Sequence, residues 1–181
     1  MLKGIIIAAD GAEDTELVAM RDIFLRTKEI EIDLVTLGDK KEFVTSHGLR
    51  IGSDKTIEEV KEEDYDFICL PGGKVGVDNM KASNKLKDLV MEFANDDKFV
   101  GAICAAPSFL GELGLLKGKR YICFPGFETE GGIRMEAGVV DDGKIVTGRS
   151  MYYTIPFAEM MVKCMLGEKA VAAVFPGTRG V

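Results

Sequence analysis

The chain has 181 residues, of which 46% are apolar and 29% are charged, a balance typical of one globular domain that folds without disulfides or a structural metal. Its 23 basic and 30 acidic residues give a formal net charge of −7, which argues against nucleic acid and anionic membrane surfaces as partners. Neither a signal-peptide pattern nor an uncharged apolar run of roughly 18 residues occurs, so we expect a cytoplasmic protein.

The predicted elements alternate along the chain between buried strands and amphipathic helices. Short apolar runs bounded by turn or polar residues predict strands at 2–9, 31–37, 66–70, 99–103 and 120–123. Apolar residues at helical spacing predict helices at 13–27, 57–61, 83–95, 107–114 and 151–166. Residues 43–51 and the segment around Asp141–Gly143 are predicted to form antiparallel hairpins. This alternation predicts a mostly parallel α/β sheet covered by helices on both faces, in one domain over 1–181.

Four cysteines are spread along the chain without a CxxC pair, and His47 is the single histidine. This leaves no spacing typical of a zinc site, so we predict no metal. In a cytosolic protein with a full-sized core, thiols usually stay reduced. We therefore expect four free thiols, at Cys69, Cys104, Cys123 and Cys164.

Cys104 stands at the end of a predicted strand and just before a predicted helix. In α/β sheets, ligands bind at the carboxyl ends of the strands, where Cys104 lies. A helix that begins there directs free N–H groups and its positive dipole end at the sulfur. We expect this environment to lower the thiol pKa and make Cys104 a nucleophile. The alternative is that Cys104 is a small buried apolar residue.

A second turn follows the neighbouring strand, at Gly72 and Gly73. Its amides and the N–H of Ala105 are candidates for an oxyanion or substrate-binding site. The alternative is an ordinary turn with no ligand.

For Glu16, the residue pattern alone favours a first-turn acid that complements the helix dipole.

Three separated motifs resemble the ThiJ/PfpI superfamily: residues 11–16 (GAEDTE), 70–73 (LPGG) and 102–107 (AICAAP). The resemblance spans nearly the whole chain, through residues 147–150 (TGRS). Within the superfamily, the sequence is most similar to the branch of the parkinsonism-associated protein deglycase (DJ-one).

The resemblance implies a flavodoxin-like three-layer sandwich in one ThiJ/PfpI-like, class I glutamine amidotransferase-like domain. It also implies a homodimer and a site that works without a cofactor. Cys104 takes the place of the family nucleophile, and Glu16 that of a protonated glutamate hydrogen-bonded to the sulfur. The helix that carries Glu16 resembles the family's dimer helix, and we expect its Leu17, Met20, Ile23 and Phe24 to face a second copy.

The sequence departs from the family near the nucleophile. Phe124 stands where many relatives have a histidine, and a phenyl ring cannot act as a base. Cys123 is a candidate resolving thiol after oxidation of Cys104, and otherwise a buried thiol. Arg149 lies where relatives place an arginine near the site. His47 is an accessory candidate that could reach a site from a neighbouring subunit, or simply a surface residue.

Two functions from different classes follow. In the first, Cys104 and Glu16 act on a small reactive dicarbonyl or on glycated protein adducts, as a glyoxalase or deglycase. In the second, Cys104 is an oxidative-stress sensor or part of a chaperone-like binding protein, without metabolic turnover. A third reading, an intracellular cysteine peptidase, lacks the histidine base that hydrolysis by cysteine needs.

Overall fold

Short apolar strands lie at the centre of the computed structural model, which describes residues 1–180. The strands are β1 Leu2–Ile7, β2 Ile30–Thr36, β3 Glu42–Val44, β4 Arg50–Gly52, β5 Lys55–Thr56, β6 Phe67–Leu70, β7 Phe99–Ile103, β8 Arg120–Tyr121, β9 Ile133–Arg134, β10 Val139–Asp142 and β11 Ile145–Gly148. The helices are α1 Asp14–Arg26, α2 Lys74–Ala82, α3 Asn84–Asn95, α4 Pro107–Glu112, α5 Thr154–Leu166 and α6 Glu168–Arg179.

Seven of these strands form one sheet in the order β10-β11-β7-β6-β1-β2-β5. All neighbours are parallel except β10, which forms a hairpin with β11. The chain moves from β1 outward to β2 and β5, then returns to place β6 on the other side of β1. The crevice at the carboxyl ends of β1 and β6 is therefore the switch point, where such sheets bind ligands.

Alternate strand residues point to opposite sides of the sheet. Both faces are therefore apolar, and helices cover both. Ile5 and Ile7 of β1 pack into the core beneath α2, α3 and α4, whereas Ile6 packs into the core beneath α1, α5 and α6. This confirms the predicted fold class, a flavodoxin-like three-layer α/β sandwich. No helix within residues 1–180 combines the length and apolar content that crossing a membrane requires.

Several parts of the secondary structure differ from the sequence prediction. The helix expected at 57–61 is a single 3-10 turn over Ile57–Glu59, because it has only one buried residue, Ile57, and helix α6 was not expected. Helix α2 was not expected, because only Val77 and Met80 give it an apolar face and Gly76 interrupts it. That glycine lets the helix approach the β1–α1 turn, since a Cβ there would lie 2.8 Å from the amide nitrogen of Ala12. The strand expected at 120–123 is only β8, which pairs with β9 outside the main sheet.

The four α1 residues that the sequence analysis assigned to a dimer contact are part of the chain's own core. Leu17, Met20, Ile23 and Phe24 are all buried in the same cluster as residues of α5 and α6. The apolar side chains that α1 leaves exposed are instead Val18 and Leu25. Together with Arg21 they line a groove of about 430 Å³ beside Ile51.

We expect the chain to form a homodimer through this groove, at twice the monomer mass of 19.7 kDa. Val18→Asp should then give monomers with an unchanged circular dichroism spectrum, because it places a charge in an apolar contact. Val75→Asp is the control, since Val75 is also an exposed valine, on a helix that covers the opposite face of the sheet. Light scattering that returns only the monomer mass at micromolar concentration would contradict the prediction.

Candidate active site

Cys104 occupies a sharp turn between β7 and α4. Its φ of +63° lies in the left-handed region, which costs a non-glycine residue of order 1–3 kcal/mol. Neighbouring backbone holds this conformation on both sides. The Cys104 N–H donates to the Gly148 carbonyl at 2.9 Å, and the Phe124 N–H donates to the Cys104 carbonyl at 2.8 Å. The strained turn is therefore fixed by β11 and by the segment after β8.

Two backbone amides are directed at the sulfur of Cys104. The N–H groups of Gly73 and Ala105 both hydrogen-bond it and favour the thiolate. Gly73 can take this position because its φ is +86° and because a Cβ there would lie 2.3 Å from the Gly11 carbonyl oxygen. Two of the three predicted oxyanion donors, Gly73 and Ala105, thus converge on the nucleophile itself. Helix α4 has only six residues, so its dipole adds little.

Glu16 is fully buried beside Cys104. Its Oε2 accepts a hydrogen bond of 2.6 Å from the Gly72 N–H, whereas its buried Oε1 has no hydrogen-bond partner among the described residues. The Gly72 amide is consequently committed to Glu16 and is not open to a substrate oxygen. A carboxylate with one unpaired buried oxygen is costly, and protonation reduces this cost.

Burial raises the pKa of Glu16 from its ordinary 4.5 to about 7, against hydrogen bonds from Gly72 and Cys104 that lower it. Burial, the nearby Glu16 carboxylate and the hydrogen bond to it raise the pKa of the Cys104 thiol to about 12. This is the opposite of the expected lowering. The first proton leaves the pair near pH 7, and across mildly alkaline pH the two groups share one proton. The nucleophilic form is the thiolate beside a protonated Glu16.

Cys123 lies on the other side of this turn. It is fully buried in the cluster that contains Ala105, whereas Cys104 packs against the opposite cluster. Burial and Glu128 raise the pKa of Cys123 to about 11, although the adjacent Arg134 lowers it. These features favour a packed thiol; its role as a resolving thiol stays a prediction.

Phe124, in the place of the family histidine, is 44% exposed. Its ring packs edge-on against Phe127 with centroids 6.5 Å apart, and its amide supports Cys104 as described above. The position therefore contributes backbone support to the turn and an exposed aromatic ring, but no titratable side chain.

Arg149 directly follows Gly148, the residue that holds the Cys104 amide. Its guanidinium lies 3.9 Å from the carboxylate of Glu136, which also pairs with Arg134. Sequence reasoning missed Arg134 and Glu136, because neither belongs to a recognisable motif and the β8–β9 segment that carries Arg134 has weak strand signals. The closeness of these residues to Arg149 depends on tertiary structure.

His47 lies in the β3–β4 turn and contacts Asp14, with Nδ1 at 3.1 Å from Oδ2. Ligand atoms of Glu13, Asp14 and His47 come within 4.8 Å of one another. However, both oxygens of Asp14 already accept hydrogen bonds from Thr45, Ser46 and His47. Although burial opposes them, these bonds lower the Asp14 pKa to about 2. Asp14 and His47 thus belong to a satisfied hydrogen-bond network, and Glu13 instead accepts from the Glu16 amide.

A wide cleft of about 720 Å³ lies at the same edge of the sheet, beyond the carboxyl ends of β1 and β2. Its polar lining includes Asp10, Asp39, Lys40, Glu42 and Asn79. Neither Cys104 nor Glu16 contributes to it.

The chain is similar to known proteins in both sequence and structure. The profile of the DJ-1/PfpI family matches residues 3–164. Protein DJ-1 homolog B of Arabidopsis thaliana is 34% identical over 164 residues, which cover 89% of this chain but only 37% of that protein. Deglycase PYRAB04690 of Pyrococcus abyssi is 29% identical over 153 residues, covering 82% of this chain and 90% of that protein. The structure of oxidized Toxoplasma gondii DJ-1 superposes with a TM-score of 0.94 at 26% identity, covering 98% of each chain.

Iodoacetamide should label Cys104 before the other three thiols. The labelling rate should rise with an inflection near pH 7, where the Cys104–Glu16 pair loses its first proton. Cys69 and Cys123 are fully buried, and burial and Asp141 raise the pKa of the partly exposed Cys164. In Glu16→Gln the thiol titrates alone, so the inflection should move up by about one unit or more.

Mass spectrometry after limiting alkylation at a series of pH values measures both effects. Glu13→Gln is the control: glutamine keeps an acceptor for the Glu16 amide, and because the Glu13 charge helps to raise the Glu16 pKa, its loss should move the inflection slightly down, not up. Faster labelling of Cys164, or an inflection unmoved in Glu16→Gln, would contradict the prediction.

Proposed function

The chain belongs to the DJ-1/PfpI family, and on that premise we propose that it is a stress-response protein of the DJ-1 type that converts reactive dicarbonyls without a cofactor. The observation that carries the proposal is the pairing of a strained, amide-supported Cys104 with a buried Glu16 whose pKa is raised to about 7. A group that titrates near neutral pH can both donate and accept a proton in one cycle.

Methylglyoxal illustrates the chemistry. The Cys104 thiolate adds to the aldehyde carbon, so that an S–C bond forms and the carbonyl electron pair moves onto oxygen, which takes the proton of Glu16. Glu16 carboxylate then removes the hydrogen of that carbon as a proton and delivers it to the neighbouring carbon, while the hydroxyl proton of the first carbon passes to the oxygen of the second, which gives a lactoyl thioester. Water cleaves the S–C bond, releasing lactate and a proton and restoring the starting pair.

The amides of Gly73 and Ala105 support the addition step. In the resting site they stabilise negative charge on sulfur. As the S–C bond forms, this charge passes to an oxygen two bonds away, within reach of donors that are already oriented. Because Gly72 holds Glu16, these two amides are the ones that serve the oxyanion.

Glycated protein adducts are a second substrate class in this proposal, and the deglycase name of the Pyrococcus abyssi relative supports it. An early adduct of a dicarbonyl with an amine or guanidine retains a carbon that the thiolate can attack. A peptidase activity has less support, because His47, the chain's one histidine, is an exposed turn residue paired with Asp14.

Oxidation of Cys104 is the second candidate function. Two N–H donors and a protonated Glu16 would hydrogen-bond sulfinate oxygens as they do the sulfur, and the Toxoplasma gondii relative is described as oxidized. In this reading the altered sulfur is a signal read by a partner, and turnover is absent.

We expect the wild-type protein to form lactate from methylglyoxal without added cofactor. Cys104→Ser should abolish this activity, and Glu16→Gln should lower it by about 10²-fold or more, the range for loss of a general acid–base group. Cys164→Ser and Glu13→Gln are the controls and should retain activity. A wild-type protein that forms no lactate, yet accumulates Cys104 sulfinate under mild peroxide, would overturn the enzyme proposal in favour of the sensor.

A further inference from the structure

A second cleft lies at the end of the sheet remote from Cys104. Its volume of about 450 Å³ is in the range of small-molecule sites. The cleft is lined by Phe99 and Val100, which begin β7, and by Ile145, which begins β11. Cys104 follows the other end of β7, a strand of five residues, which spans roughly 17 Å at the rise of a β-strand. The cleft is therefore separate from the reactive site.

Five apolar side chains line this cleft: Ala94, Phe99, Val100, Leu115 and Ile145. Val100 and Ile145 are buried in the core beneath α2, α3 and α4. Phe99 and Leu115 are only partly buried and pack against the two sides of the core. A ligand with an apolar body would remove their remaining apolar surface from water, which favours binding.

Two lysine ammonium groups lie beside the same lining. Nζ of Lys144 is 4.3 Å from the centroid of the Phe99 ring. Nζ of Lys119 is 4.0 Å from the position that a Cβ on Gly143 would take, and Gly143 is itself a lining residue. Both side chains are partly covered, at 38% and 42% exposure. The cleft thus combines an apolar surface with two positive charges.

The carboxylates nearest to these two lysines leave much of their hydrogen-bonding capacity unused. Asp97 is 3.8 Å from Lys144 and is 85% exposed, and Asp142 is 3.9 Å from Lys119. Both separations are longer than a hydrogen bond. The other carboxylate oxygen of Asp142 accepts from the amide and Nε of Arg120. The two ammonium groups therefore retain donors for an anion, although the chain as a whole has a net charge of −7.

We propose that this cleft binds a small organic anion with an apolar body, of the arylalkyl carboxylate class. The carboxylate contacts Lys119 and Lys144, and the apolar body packs against Phe99 and Leu115. One anionic group matches the cleft better than several, because the third lysine of the lining, Lys98, is already paired with Glu62. The inference does not rest on the proposed function, since none of these residues takes part in the chemistry of Cys104.

Titration with 4-phenylbutyrate, followed through backbone amide resonances in two-dimensional NMR spectra, tests the site. The resonances of Leu115, Gly143 and Ile145 should shift and saturate, and those of Cys104 and its neighbours should not. The neutral analogue 4-phenylbutyramide has the same apolar body without the charge and should bind about tenfold more weakly. Acetate has the charge without the body and should not saturate the site at the same concentrations.

Matched variants separate the loss of charge from the loss of folding. Lys119→Gln and Lys144→Gln should each weaken phenylbutyrate binding by about threefold and leave the affinity for the neutral amide unchanged. Ala94→Glu places a carboxylate in the cleft on a helix that tolerates glutamate, and should abolish binding of the acid. Lys169→Gln is the control, because it makes the same change in net charge at an exposed position on α6, and should bind as the wild type does.

Three results would overturn the proposal. The first is an absence of saturable phenylbutyrate binding, or equal affinities for the acid and its neutral amide. The second is a set of resonance shifts centred on Cys104 instead of on the cleft. The third is an unchanged affinity for phenylbutyrate in both Lys119→Gln and Lys144→Gln.

Discussion

The absence of a side chain at position 72 allows Glu16 and Cys104 to meet. A Cβ there would lie 2.6 Å from the Cβ of Cys104 and 2.8 Å from Oε2 of Glu16, so any larger residue would force the pair apart. The same glycine donates the amide that holds the carboxyl group. Burial of that carboxyl group raises its pKa to about 7, and the chemistry proposed for the site depends on this proton.

The topology of the sheet brings the residues of the site together. Cys104, Gly73 and Glu16 come from the carboxyl ends of β7 and β6 and from the helix after β1, three adjacent strands that flank the switch point. Parallel strands bring these ends to one edge although the residues are far apart in sequence. With Phe124 in the place of a histidine, Glu16 is left as the titratable partner of the sulfur.

Much of this was predictable from the sequence, because buried strands and glycine turns leave strong local signals. The apolar runs of β1, β6 and β7 were predicted to within a few residues, as was the turn at Cys104. The raised pKa of that thiol was not, because the sequence indicates a helix start but not how completely Glu16 and the sulfur are buried. Nor was the core role of Leu17 and Met20, since an apolar helix face does not reveal whether its partner is α5 or a second copy.

Infrared spectroscopy of the Glu16 carboxyl group tests the central claim most directly. A protonated carboxylic acid has a carbonyl stretch distinct from that of a carboxylate, and the band lost in Glu16→Gln identifies this residue. Because burial raises the pKa of Glu16, the band should be present at pH 6 in the wild-type protein and should decline, with a midpoint near pH 7, to the fraction of the shared proton that stays on Glu16. A wild-type spectrum without that band at pH 6 would mean that Glu16 is ionised at its ordinary pKa and would contradict the account.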